Sequence, residues 1–504
     1  MTSDVVIIGT GHNGLVSAIL LARAGLRVTM LEAAPVIGGA TRTEQPFPKV
    51  PGLRHSTGSY LLGLMPPELM RTLDIDIPVL RRDPHYFLPT PGSAYLLCGS
   101  QRTDNGIYSE ADLAADDTMQ AELSMLREDL APAWLAEPGT AEETAERYIR
   151  PALRQTFVNL VRGSVLDYLE RFGFQSELLL SMYAVTDGLS GINAGPDDPG
   201  TGHNFMVHNM CRLPGAGGTW MIARGGMGSV SRILADKFRS LGGQIHTSAR
   251  VTQLSVSDGA VDGVVLEDGR GFPARVVLGA CDPYQLMRIA GDHLPGGLRT
   301  RMAATQRQGT TLKVNLALSG LPRFTCLPEG EKSPFGSTIH LLPGSDGDQP
   351  LARLRRMWAQ VQAGQLPDEP TIEWYVHTTV DPSLQDEQGH HSSALFVQSV
   401  PYGVPLGSYV EHLLGICDSY APGTSSLVAD MFPLSPEGIE SHFGITGGHI
   451  HHVDNTISLA DRMPYATGLP GLYAGSAGCH PGGSVIGAAG HNAAQRILRD
   501  LSLS

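Results

Sequence analysis

The chain has 504 residues, 42% of them hydrophobic, enough for two or three domains with real cores. Its formal net charge of −14 argues against a nucleic-acid partner, and no apolar run reaches the roughly 18 residues that a membrane span needs. Six scattered cysteines form no C-x-x-C pair, so neither a redox disulfide nor a thiolate metal site is expected.

The N-terminus enters an apolar run at once, with no room for a signal peptide, and this predicts a cytosolic protein or one resting on a membrane surface. From Asp4 to Glu32 the pattern reads as strand, glycine turn, helix, second strand and acid. Val5 to Ile8 suit a buried parallel strand, and Gly9, Gly11 and Gly14 follow in G-x-G-x-x-G spacing. Gly9 permits the tight turn, Gly11 admits a pyrophosphate to the backbone, and Gly14 lets the helix pack closely on the strand. The helix start offers free N–H groups and a positive dipole end to phosphates. Glu32 closes the second strand, where a carboxylate accepts ribose hydroxyls and repels the 2′-phosphate of NADP. The segment therefore predicts a dinucleotide site.

A second glycine pair follows in Pro35–Thr43, at Gly38 and Gly39. Between these motifs and the C-terminus, Asp112 to Leu130 and Gly163 to Leu180 are the best amphipathic helical stretches. Gly225 to Val230 opens a helix reaching about Leu241, and strand-like runs follow at Gln244 to Gln253, Val261 to Leu266 and Arg275 to Ala280. Further strand-like runs stand at Thr311 to Leu318, Thr371 to Thr378 and Ala394 to Val400. The C-terminal segment Pro470–Ala494 reads as a short strand, a glycine-rich turn containing His480, Gly482 and Gly483, and a small-residue helix. No second complete G-x-G-x-x-G unit is present, which argues against a built-in NAD(P)H domain.

These motifs together resemble the glutathione-reductase-type flavoproteins, particularly the amine oxidase and phytoene desaturase branch, and within it the phytoene-dehydrogenase-related group. The resemblance covers nearly the whole chain and is strongest over 1–60, 215–285 and 440–504. It implies an α/β fold, with a discontinuous Rossmann-like FAD-binding domain over 1–95, 215–300 and 445–504. An inserted α+β substrate domain would then hold 96–214, largely helical, and 301–444, largely sheet. It implies FAD as cofactor, held by Gly9, Gly11, Gly14, Glu32, Gly38, Gly39, Arg42, Thr43, Val251, Gly475, Gly482, Gly483 and Val485. Ser484 stands where relatives commonly carry a third glycine.

The resemblance also implies desaturation or oxidation of a hydrophobic organic substrate, by hydride transfer to flavin N5 and proton loss from the neighbouring atom. Oxygen, a quinone or another diffusible acceptor would take the electrons on. Among the 18 histidines, His55, His208, His449 and His480 are the candidates for the base. His449, His451 and His452 have no acidic residue at ligand spacing close behind them, so no metal is expected. Two alternatives stay open at this level: a non-redox isomerase of a polyene, and a non-catalytic binding protein of GDP-dissociation-inhibitor type.

Overall fold

The computed structural model describes residues 3–502 except 330 and 332. Its first strand, Ser3–Ile8, lies inside a parallel sheet, which is why its Val5, Val6 and Ile7 are fully buried. Val28–Leu31 pairs with it on one side and Gly271–Gly279 on the other, with Val5 opposite Val28 and Val276. Gln244–His246 extends the sheet beyond Val28–Leu31, and Leu472–Ala474 runs parallel to Gly271–Gly279. The beginning of Gly271–Gly279 turns to antiparallel pairing with Ala260–Leu266, which pairs in turn with Val251–Ser257. The run expected from Gln244 to Gln253 is thus two strands. Ser248 between them takes a left-handed backbone with φ 50°, which ends the extended chain.

Two glycines set how closely the first helix packs, one against the sheet and one against the last helix. A Cβ on Gly14, in the helix His12–Arg23, would lie 2.6 Å from the Gly9 carbonyl oxygen and 2.9 Å from the Ala280 Cβ. The C-terminal helix Ala488–Asp500 crosses the same helix so closely that a Cβ on Gly490 would lie 2.0 Å from the Asn13 carbonyl oxygen. Ser17 Oγ donates to the Gly490 carbonyl at 2.7 Å across that crossing. The last segment of the chain is therefore locked onto the first.

The remaining residues form a helical layer and an antiparallel-rich sheet. Helices Glu110–Trp134, Ala141–Tyr148 and Val165–Glu170 each begin with a capping box, at Ser109/Asp112, Thr140/Glu143 and Ser164/Asp167. The stretch expected from Gly163 to Leu180 splits into Val165–Glu170 and Glu177–Tyr183. Gly173 adopts φ 76°, and the Ser176 hydroxyl caps the second helix by accepting from Leu179 N–H. The sheet runs, in spatial order, Val428–Leu434, Leu312–Leu318, His391–Val397, Ile372–Val376, Thr338–Leu341, Tyr86–Pro89, Tyr95–Cys98 and Thr103–Asn105. Tyr86–Pro89 pairs with Thr338–Leu341, so the chain enters this second sheet before residue 95. The two partners are far apart in the chain, and no local pattern announces their pairing.

Gly490→Ala should lower the stability of the folded chain by roughly 1–3 kcal/mol through overpacking against Asn13. Urea unfolding checks this, and an unchanged midpoint would contradict the close crossing.

Candidate active site

A cavity of about 550 Å³ runs from the glycine turn after the first strand to the polar face of the second sheet. At one end it is lined by Gly9 to Asn13, Glu32, Val251 and Ala280 to Asp282. Gly38 to Thr41, Ser484 and Val485 line its middle. Tyr60, Tyr86, His208, Trp220, Lys313, Glu373, Tyr375 and Phe396 line the far end.

At the first end Glu32 is fixed before any ligand arrives. One of its carboxylate oxygens accepts from Thr10 N–H at 2.9 Å and from the Thr10 hydroxyl at 2.6 Å, and the other accepts from Ala34 N–H at 2.9 Å. The Thr10 oxygen also accepts from Gly38 N–H at 3.2 Å, tying the first glycine turn to the second. Thr10 is buried and was invisible as a functional residue in the sequence, where it is only the variable position of G-x-G. Gly11 leaves open space where a Cβ would stand. The helix that starts at His12 has no side-chain cap and no acid in its first turn, so its N–H groups point at the cavity unopposed.

The expected cofactor residues divide by position. Gly9, Gly11, Glu32, Gly38, Gly39, Val251 and Val485 line the cavity, whereas Gly14, Arg42, Thr43, Gly475, Gly482 and Gly483 do not. Arg42 turns to a neighbouring helix instead, donating to the His442 carbonyl at 2.7 Å with its guanidinium 4.8 Å from the Phe443 ring centroid. The Thr43 hydroxyl accepts from Gly228 N–H at 2.9 Å. Gly475 gives room to Ala493, and Gly483 packs on His451. Ser484 lines the cavity with φ 141°, a backbone conformation more at home on glycine.

Of the four candidate bases, only His208 lines the cavity. His55 stands behind the wall, with Nδ1 2.5 Å from Ser392 Oγ and Nε2 2.7 Å from Asn315 Oδ1, which also accepts from the Tyr60 hydroxyl. His449 Nε2 lies 3.0 Å from the buried carboxylate of Asp454, so this histidine segment does have an acid close behind it, contrary to the sequence reading, and His480 Nε2 donates to the Ala133 carbonyl at 2.9 Å. His208 Nδ1 is 2.8 Å from the Asp187 carbonyl, which can only accept, so the proton sits on Nδ1 and leaves Nε2 as an acceptor. Burial holds this imidazole down at about 4, neutral at pH 7. His451 and His452 also line the cavity, and His451 Nε2 donates to the Ser190 carbonyl at 2.9 Å.

Lys313 and Glu373 are the functional candidates that the motifs did not reveal. Burial lowers the Lys313 ammonium to about 7, against the opposing pull of Glu373, and raises the Glu373 carboxyl to about 7. The Lys313 nitrogen lies 4.0 Å from the Tyr60 ring centroid and 4.4 Å from that of Phe396. Glu373 accepts from the Tyr375 hydroxyl and, at 2.8 Å, from Gln398 Nε2. A signal was present in the sequence: in LKVNLAL and IEWYV, alternation puts apolar residues on one face and a charge on the other.

Residues 14–323 match the family model described as flavin containing amine oxidoreductase. The chain belongs to that family. Over 99% of its length it is 30% identical to pyridine nucleotide-disulfide oxidoreductase domain-containing protein 2 of Rattus norvegicus, covering 94% of that protein. It is 29% identical to hydroxyneurosporene desaturase of Cereibacter sphaeroides, over 99% of this chain and 98% of that one. A solved structure of putrescine oxidase superposes with a TM-score of 0.58 over the full length of both chains at 15% identity, a likeness of fold.

As a flavin containing amine oxidoreductase the chain is an FAD-dependent oxidoreductase, and the first end of its cavity fits that cofactor. Glu32 keeps a free acceptor direction for a ribose hydroxyl, since its three hydrogen bonds leave part of its lone-pair capacity unused. The open Gly11 and the uncapped helix start suit the pyrophosphate.

Glu32→Ala should weaken FAD binding by about 1.5–3 kcal/mol, roughly ten- to a hundredfold in Kd, as read by titration of flavin fluorescence. An unchanged Kd would remove Glu32 from the cofactor site. Lys313→Met tests the buried cation. Its folded pKa of about 7 lies below the ordinary lysine value of 10.5, so the unfolded chain binds more protons between those limits and wild-type stability rises with pH across them. The substitution removes that cost, so it should raise the unfolding temperature more at pH 6 than at pH 9. Thermal scans of both proteins decide it, and an equal effect at both values would contradict the burial of the charge.

Proposed function

We propose that the chain desaturates or oxidises an organic substrate with a largely apolar body, forming a C=C or C=N bond. The observation that carries this reading is the continuity of one cavity from the dinucleotide cradle to a wall of Tyr60, Trp220, Tyr375 and Phe396 that also holds a neutral imidazole. Two hydrogens leave adjacent substrate atoms, one as hydride and one as proton. Bound FAD supplies the two-electron acceptor for the hydride. His208 Nε2 receives the proton, because its other nitrogen is already committed to the Asp187 carbonyl. The aromatic side chains hold the substrate body and exclude water from it.

The relatives support the desaturase form of this reading. One of those matched along the chain is named hydroxyneurosporene desaturase, and another, from Castellaniella defragrans, is named as part of a limonene dehydrogenase. Oxygen, a quinone or another diffusible acceptor completes the cycle by taking the electrons away. A true substrate, mixed with the holoenzyme without oxygen, should bleach the flavin absorbance and yield a product lighter by two hydrogens. Turnover that leaves both the flavin oxidised and the substrate mass unchanged would replace this reading with isomerisation.

A further inference from the structure

The tautomer of His208 depends on one acceptor, the Asp187 carbonyl, and that carbonyl stands near the end of the π-helical turn Ala184–Leu189. A helix end leaves carbonyls with no partner further along the chain, so in a buried segment another group must supply the donors. Here one side chain does so. Asn204, fully buried, directs its Nδ2 at the carbonyls of Asp187 and Gly188, each at 3.1 Å, and of Ser190 at 3.2 Å. It lies one turn before His208 on the helix Thr201–His208, so both side chains project from one helix face and reach the same π-helical turn.

Asn204 is held from behind. Its Oδ1 accepts from Asn455 Nδ2 at 2.9 Å, and Asn455 is also fully buried. Asn455 in turn presents its own Oδ1 to Gly483 N–H, which donates at 2.9 Å. The fit leaves no slack, since a Cβ on Gly482 would lie 2.9 Å from that same Oδ1. Gly482 and Gly483 lead directly into Ser484 and Val485, which line the middle of the cavity. Two amide side chains thus connect the loop at the middle of the cavity, bond by bond, to the imidazole at its far end. Neither amide lines the cavity, and every partner of this chain of bonds is a protein group.

Resting on the reading of His208 as proton acceptor, we infer that Asn204 and Asn455 are positioning residues, a strut that holds His208 Nε2 in register with the loop 482–485. An amide suits the task because it carries donors and an acceptor on one rigid plane. Removing either amide leaves buried groups unsatisfied on both sides of the break, so a cut at one end of the strut should be felt at the other.

The test reads the purified holoenzyme without substrate, as wild type, Asn204→Ala, Asn455→Ala and a control, Asn492→Ala. Asn492 is a buried amide that serves the Trp134 and Ala136 carbonyls and has no part in the strut. Nitrogen-15 resonances of the imidazoles report the tautomer, with that of His208 assigned by its loss in His208→Gln. Wild type and Asn492→Ala should hold His208 in the Nδ1–H form at pH 7. Asn204→Ala and Asn455→Ala should both give a mixture of tautomers, although Asn455 touches neither His208 nor its acceptor. Amide exchange read by mass spectrometry supplies the reciprocal measurement. Asn204→Ala should speed exchange over residues 482–487, and Asn455→Ala over residues 184–191, each by roughly tenfold, the equivalent of about one net hydrogen bond. Should an alanine variant fail to fold, Asn204→Ser or Asn455→Ser takes its place with the same expectations. An unchanged tautomer in the Asn455 variant, a mixture in wild type or in Asn492→Ala, or exchange within about twofold of wild type at the end opposite the cut would each overturn the inference. The reading of His208 as base fails separately. A compound that bleaches the flavin of His208→Gln at the wild-type rate removes the proton acceptor and leaves the tautomer and exchange results standing.

Discussion

Backbone contact at the first strand is the constraint on which the rest of the structure depends. Gly14 lets the first helix approach the Gly9 turn and Ala280, and Gly490 lets the last helix approach the first at Asn13. A Cβ at either place would push the helices apart and open the cradle that Gly11, Glu32 and Thr10 line. Glu32 cannot be considered alone, because Thr10 holds its carboxylate and also accepts from Gly38, so the two glycine turns move as one piece. The cofactor end is thus rigid before binding, which reduces the ordering cost that binding would otherwise carry.

The other end of the cavity follows a different logic. Strand alternation gives the second sheet an apolar face, with Leu312, Val314, Trp374 and Leu395 in its core, and a polar face with Lys313, Asn315, Glu373 and Tyr375. The polar face looks into the cavity, where burial moves Lys313 and Glu373 to about 7. Such groups are costly to keep, and perturbed titratable groups tend to gather at functional sites, which makes this wall part of the candidate site. The sheet contributes the charged wall of the cavity, the helical layer contributes His208 through the helix Thr201–His208, and the glycine turns line the opposite end.

Legibility in the sequence followed the range of the interaction. The strand, turn, helix, strand and acid that end at Glu32 form one contiguous unit with a known period and spacing, and the structure reproduces it element by element. Of the helices of the middle segment, Asp112 to Leu130 was legible by its apolar period inside Glu110–Trp134, the shorter Ala141–Tyr148 was not singled out, and Gly173 broke the other expected stretch into two. Histidine carries no such local signature. Whether one faces a cavity depends on residues far away, as His55 shows with its partners Asn315 and Ser392. Lys313 and Glu373 were within reach of a period-two reading, but only as charges on a strand face, since nothing local said what that face would meet.

The sequence alone determined the unit of strand, glycine turn, helix and second strand with an acid at its end, because spacing along a few dozen residues dictates that backbone shape, which is one that suits phosphates and ribose. Tertiary structure alone decided which polar side chains share the cavity. Tyr60, His208, Lys313 and Glu373 meet only when two sheets and a helical layer close on one another, and that closure is set by packing between segments far apart in the chain.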